Sequence, residues 1–294
     1  MSGIFNIDTY LLPLQQAFMQ RALAAVVLVS ILCALVGSFV VLRGLAFIGE
    51  AMRHALFAGV VIAFLLGGSL VLGAIIFALL IAALISVIGR QQDIGEDTAI
   101  GVLFSASFAL GIVLLNRARA GARDLSAILL GNILGVSTFD LVLTAGIVVV
   151  ALIVVGLFFK ELVLIAFDPA LAAAHGRALI AWDGLLLVLL ALALTTAFQT
   201  VGNLLALALL LAPPATARLL TRRLVPMIVV AALIATAASI TGLLISYWQN
   251  VPSGPTIVVI AGAFFGLAWL IAPGSGIVWA LLARHRLRAV HHTA

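Results

Sequence analysis

Charge is what this chain has least of. Only 9% of its 294 residues are Asp, Glu, Lys or Arg, while 65% are hydrophobic. So little polar surface excludes a water-soluble globular domain, and a mean hydropathy of +1.37 assigns the chain to the polytopic membrane proteins. Cysteine is nearly absent too, with Cys33 alone. That excludes an intrachain disulfide and a thiolate metal cage, and inside an apolar run Cys33 reads as a small packing residue. The sequence has no Gly-x-x-x-x-Gly-Lys-[Ser/Thr] loop to cradle a nucleotide's phosphates. It has no His-Glu-x-x-His motif and no paired membrane aspartates, which removes the recognisable catalytic sets of an intramembrane enzyme. Few acids fall at mid-membrane and no internal repeat is evident, which argues against a gradient-driven secondary transporter.

What remains is long apolar sequence. Residues 22–42, 55–89, 98–116, 141–159, 184–217 and 224–283 carry no charged side chain. A spanning helix needs roughly 20 residues, so several of these runs cross twice. Gly67-Gly68, the polar stretch 199–203 and residues 250–255 are the natural reversals. About nine crossings follow, or eight if 184–217 is too short for two. The expectation is an all-α polytopic membrane protein, with a single transmembrane domain over residues 1–283 and a basic tail over 284–294. Asn6, Asp8, Pro13 and the Gln15-Gln16 pair interrupt the start, so no cleavable signal peptide is expected and the first span acts as the targeting signal.

The 15 basic residues are scattered at helix ends rather than gathered on one face, which reads as topology and not as a nucleic-acid surface. With Arg284, Arg286 and Arg288 in the cytoplasm, Arg43, Arg53, Arg90, Lys160, Arg177, Arg218, Arg222 and Arg223 also fall inside. Arg21, Arg117, Arg119 and Arg123 fall outside, an 11-to-4 division of the 15. The amino terminus is then external and the carboxyl terminus cytoplasmic. Residues 125–134 have the length of a short half-inserted helix near the outer surface, and 160–183 is the largest internal loop.

Within this frame a few polar residues carry chemistry. Glu50 and His54 stand four apart, so they share one helix face, and ionisable groups at membrane depth usually face a cavity, a pathway or a partner. A carboxylate with an imidazole suits first-row divalent ions such as zinc or manganese. The structural alternative pairs Glu50 with Arg53 or Arg43 and lets His54 hydrogen-bond a neighbouring helix. In the internal loop, Phe167-Asp168-Pro169-Ala170-Leu171-Ala172-Ala173-Ala174-His175-Gly176 reads as a short helix with an Asp N-cap, a first-turn Pro and a terminating Gly. It is either an ordinary capped connector or a docking element for another protein. Gln199 and Asn203, beside a predicted break, either line a pathway or satisfy backbone, and Pro213-Pro214 permits a kink. Asp124 and Asp140 are external acids, His175 complements a helix end, and His285, His291 and His292 lie in the tail, solvated or against anionic lipid.

Several of these segments carry a family likeness. Leu42-Arg43-Gly44-Leu45-Ala46-Phe47-Ile48-Gly49-Glu50-Ala51-Met52-Arg53-His54, the Phe167 to Gly176 loop, Val201-Gly202-Asn203-Leu204-Leu205 with Pro213-Pro214-Ala215-Thr216-Ala217, and Pro252-Ser253-Gly254-Pro255 resemble the permease subunits of zinc and manganese ABC importers. The resemblance implies a type II importer permease that pairs as a homodimer in a prokaryotic cytoplasmic membrane. It also implies a cytoplasmic ATPase dimer that binds the ATP, and an extracytoplasmic metal-binding protein. Asp168, Ala172, Ala173 and Gly176 would belong to the ATPase-coupling helix, and Glu50 and His54 from two subunits would form a transit site. Family members commonly carry Asp where this chain has Glu50 and Ser where it has Arg53. The alternative cargo for the same fold is a metal chelate or a larger organic ligand, with Arg53 placed to greet an anionic chelate.

The topology is directly testable. With Cys33→Ser as background, Ser253→Cys is expected to react with a membrane-impermeant thiol reagent added from outside, and Ala289→Cys only after the membrane is opened. The reverse pattern would invert the orientation.

Overall fold

A computed structural model describes residues 15–88, 96–117, 133–168, 171–172 and 179–272 of the chain. Among them every regular element is helical: α1 (Ala17–Arg43), α2 (Ala46–Leu65), α3 (Leu70–Ile88), α4 (Glu96–Arg117), a 3-10 turn at Ile133–Gly135, α5 (Thr138–Leu157), α6 (Phe159–Phe167), α7 (Leu179–Val201), α8 (Asn203–Leu220), α9 (Leu224–Gln249) and α10 (Ser253–Ile271). Nine of these are long and apolar enough to cross a bilayer; α6 and the 3-10 turn are not. The expected reversals occur at residues 66–69, at Gly202 and at residues 250–252. Of the expected half-inserted segment only the turn at Ile133–Gly135 lies among the described residues, with Ile133 buried.

The eight-or-nine question over 184–217 is resolved by the economy of one residue. Gly202 alone separates α7 from α8, at φ 91° and ψ 165°, a backbone state that side chains other than glycine rarely adopt. Arg43 at the end of α1 pairs with Asp183 near the start of α7, and Arg218 near the end of α8 donates to the Val41 carbonyl at 2.9 Å. The start of α7 and the end of α8 therefore lie at the same end of the bundle, and the chain reverses at Gly202. Because α7 begins at Leu179, the 184–217 run did not have to supply both helices by itself.

Helix α1 is the hub. It packs against α5, α6, α7, α8 and α9, and its middle is buried from Met19 through Val40 along the faces those helices cover. Lipid supplies no hydrophobic drive for helices to associate, so their contacts depend on close approach and occasional interhelical hydrogen bonds. Both occur on α1. Ser30 shares a buried hydrogen bond with Ser239 of α9 at 3.2 Å, a contact worth about 0.6 kcal/mol in such settings. At Gly37 an added Cβ would lie 2.0 Å from the Leu210 carbonyl oxygen of α8 and 3.0 Å from Pro214 Cγ. Pro214 has no N–H, so that carbonyl has lost its partner four residues on, and α1 comes in where it is freed. The paired prolines expected to shape α8 are buried at this contact.

Charge is segregated by end. Arg43, Arg53, Lys160, Arg218, Arg222 and Arg223 are all at the end where α1, α5 and α8 finish and α2, α7 and α9 start, while Arg21 and Asp140 are at the other. Arg117 to Asp124, Arg177, His175 and the tail with Arg284, Arg286 and Arg288 lie outside the residues whose side chains are described. Asp140 is not a loop acid: it accepts from Ser137 N at 3.1 Å while Ser137 Oγ accepts from Asp140 N at 3.1 Å. This capping box starts α5 at Thr138, three residues before the uncharged run that signalled it.

Gly37→Val is expected to separate α1 from α8 and to cost about 1–3 kcal/mol of overpacking. A detergent-solubilised variant should lose several degrees of thermal stability, whereas Gly184→Ala, where a Cβ meets open space, should not. Equal stability of the two would contradict the close crossing.

Candidate functional site

Helix α2 starts two residues after α1 ends, so its first turns are held close to the charged end of the bundle. Glu50, Arg53 and His54 occupy those turns at i, i+3 and i+4 and point to one side. Arg53 donates to both carboxylate oxygens of Glu50: Nε reaches Oε2 at 3.2 Å, and Nη2 contacts Oε1. The same Nη2 is 2.7 Å from His54 Nε2. A guanidinium has no acceptor, so this hydrogen bond requires His54 Nε2 to offer its lone pair. His54 Nε2 and Glu50 Oε1 are 3.1 Å apart.

The opposite wall is aromatic. Phe104 and Phe108 of α4 meet the His54 ring edge to face, with centroids 4.5 and 4.9 Å away. These contacts restrict the imidazole's rotation and leave its Nε2 edge toward Glu50. Beside the carboxylate, Phe47, Ala51, Ile100, Gly101 and Phe104 enclose with Glu50 a cavity of about 490 Å3 between α2 and α4. Phe104 and Phe108 give no separate signal in the sequence, because phenylalanines in an apolar helix read as lipid-facing or core residues.

Glu50 and His54 fit a divalent cation as cargo. Two ligands bonded at about 2.0–2.2 Å and set near a right angle stand about 3 Å apart, close to the spacing found here. Among the described residues no group of three or more His, Cys, Asp or Glu assembles. The proposed alternative partners for Glu50 divide cleanly: Arg53 is beside it, whereas Arg43 is spent on Asp183 and on the Ile165 carbonyl at 3.0 Å.

The other singled-out residues lie elsewhere. Asp168 Oδ1 accepts from Leu171 N at 2.9 Å and the Asp168 carbonyl accepts from Ala172 N at 3.1 Å, so it does act as an N-cap for the turn that follows α6. Ala172 is buried against its own chain, while Phe167 and Leu171 are exposed. Ala173 and Gly176 lie outside the described residues. Gln199 borders a small cleft of about 20 Å3 with Asp140, Thr144, Thr195, Thr196 and Thr200. The threonines, at i, i+1 and i+5 on α7, are a polar stripe that sequence reading passed over because each hydroxyl is individually unremarkable in a helix. Asn203 Oδ1 is buried without a hydrogen-bond partner among the described residues, apart from the Gln199 cleft.

The fold is thus a multi-span helical bundle with a carboxylate–imidazole pair inside its second candidate span. The comparisons with known proteins make that specific. Residues 15–272 match the ABC 3 transport family, and the chain belongs to it. It is 42% identical over 265 residues to the manganese transport system membrane protein MntC of Halalkalibacterium halodurans, covering 90% of this chain and 91% of that one. It is 38% identical to the chelated iron transport system membrane protein YfeD of Yersinia pestis, covering 87% and 86%. Among solved structures it superposes on a chain of PsaBC from Streptococcus pneumoniae in complex with Fab, with a TM-score of 0.83 at 40% identity, covering 92% and 97%.

Proposed function

We propose that this chain is the membrane permease of an ATP-driven importer that moves a divalent transition-metal ion, manganese or zinc, into the cytoplasm. The observation that carries this reading is the Glu50–His54 pair, set at a cation's bite inside a membrane helix of a chain 42% identical to a manganese transport permease. Two ligands make a weak site, and a transit site must release its ion. A homodimer axis that brings Glu50 and His54 of two subunits together would supply four ligands of mixed oxygen and nitrogen type. The capture of the ion is assigned to an extracytoplasmic metal-binding protein, since the chain contributes no closed cage of its own among the described residues.

ATP would be hydrolysed by a separate cytoplasmic ATPase dimer, because the sequence has no phosphate loop. The docking element is the segment capped by Asp168. Phe167 and Leu171, four residues apart and exposed, would face the ATPase, while buried Ala172 supports the segment from behind. The charge asymmetry between the two ends supports a cytoplasmic side for this segment and for the carboxyl terminus in a bacterial inner membrane. Gln199, Asn203 and the threonines of α7 then lie toward the outside, at the entry of the path. Nucleic acid has no place in this reading, since the basic residues are scattered along the sequence at helix ends rather than gathered on one face. A metal chelate is the second reading, favoured by Arg53 in the site and by the similarity to a chelated-iron permease.

Isotope uptake into vesicles containing the whole transporter, with manganese and zinc in parallel, tests the transit pair. Glu50→Gln and His54→Ala are each expected to lower uptake roughly 10- to 100-fold without loss of assembly, and Glu50→Asp to retain more than Glu50→Gln. Undiminished uptake of both ions by an assembled double variant would reduce the pair to a structural element. For the docking segment, Leu171→Asp is expected to lose most cargo-stimulated ATP hydrolysis with the permease dimer intact. Full coupling in that variant would remove the segment from the ATPase interface.

A further inference from the structure

Arg53 stands where a cation would stand. Its Nη2 is in contact with Glu50 Oε1 and 2.7 Å from His54 Nε2, the two atoms that would ligate an ion, and its Nε holds the second carboxylate oxygen at 3.2 Å. Donor atoms that would converge on a metal converge on one guanidinium nitrogen. The facing residues of α4, namely Ile100, Gly101, Phe104 and Phe108, are apolar, so they offer Glu50 no other charge. An ionised carboxylate in such surroundings is costly unless paired.

We propose that Arg53 is a tethered counter-cation that fills the Glu50–His54 site between transport events and is displaced by the incoming ion. The inference rests on the reading of Glu50 and His54 as the transit pair, and it adds a residue that sets affinity rather than one that ligates. When cargo is absent, the guanidinium neutralises Glu50 and occupies the His54 lone pair, so the empty site needs no borrowed ion. Cargo reaches the carboxylate through the cavity beside Phe47 and Phe104, and it can engage Glu50 only as the two-pronged Arg53 contact opens. Arginine stays charged throughout, so the displaced guanidinium remains a positive neighbour on the same helix turn. Its repulsion weakens binding of the dication and its return drives release. An anionic chelate would meet the opposite situation, with Arg53 as an attractive contact.

The test is equilibrium binding of radioactive manganese, and of zinc, to the purified permease–ATPase complex in nanodiscs, alongside uptake in vesicles. Wild type is compared with Arg53→Ser, Arg53→Met, which keeps the stem without the charge, and Arg53→Lys. Glu50→Gln and His54→Ala serve as controls, and assembly is followed by size exclusion. Arg53→Ser and Arg53→Met are expected to bind manganese about tenfold or more tighter, because a like charge next to the ion is removed. Uptake should then show a lower KM together with a lower kcat, and Arg53→Lys should stay near wild type in affinity. A purely structural Arg53 would not tighten binding. Unchanged or weaker binding in both neutral variants, with Glu50→Gln and His54→Ala still abolishing it, overturns the role of Arg53 and leaves the transit pair standing. Binding that none of the five substitutions alters, or that is absent from every protein, overturns both.

Discussion

A charge inside hydrocarbon must be partnered, and this chain is organised around that constraint. Its helices contain few ionised groups, and three of those near the charged end are tied to defined partners. Arg43 pairs with Asp183 and the Ile165 carbonyl, Arg218 caps the last turn of α1 through Val41, and Glu50 is embraced by Arg53. The first two ties fasten α6, α7 and α8 to the end of α1. The third is different in kind, because its partners are neighbours on one helix and hold no second element in place. The Arg43 and Arg218 contacts join helices, whereas the charge pairing of Glu50 with Arg53 and His54 stays within one helix.

The rest of the architecture follows from how closely helices can approach α1. Lipid tails are as apolar as leucine, so packing rests on small residues and freed backbone groups. Gly37 against the Leu210 carbonyl is such a contact, with the proline in α8 and the glycine in α1 acting together. Helix α2 leaves this hub after two residues, which fixes Glu50 and His54 near the charged end, and its other face is closed by α3 and α4. Glu50 and His54 therefore sit on a helix packed on both neighbours, with Phe104 and Phe108 against His54 and a cavity beside the carboxylate.

If Glu50 and His54 are the transit pair, two ligands from one chain and a competing guanidinium would favour release over storage. The hydroxyl stripe of Thr195, Thr196 and Thr200 at the other end of the bundle provides polarity without charge, and Thr195 Oγ1 is buried there with no hydrogen-bond partner among the described residues. The cleft it borders is large enough for about one water.

The membrane class, eight or nine crossings, the all-helical fold and reversals at Gly67-Gly68, within 199–203 and within 250–255 were legible in the sequence. Hydropathy and glycine act over a few residues, and the bilayer demands helices whatever their neighbours. The pairing of Glu50 with His54 was legible for the same reason, since a spacing of four is local geometry. What only the tertiary structure decided involves residues far apart in the chain. The choice of Asp183 rather than Glu50 as the partner of Arg43, the burial of Ala172, the role of Asp140 in a cap and the cage of Phe104 and Phe108 around His54 all depend on which helices meet. In a chain that is 65% hydrophobic, periodicity does not say which face meets protein and which meets lipid. Only the packing around α1 settles that, and with it where Arg53 points.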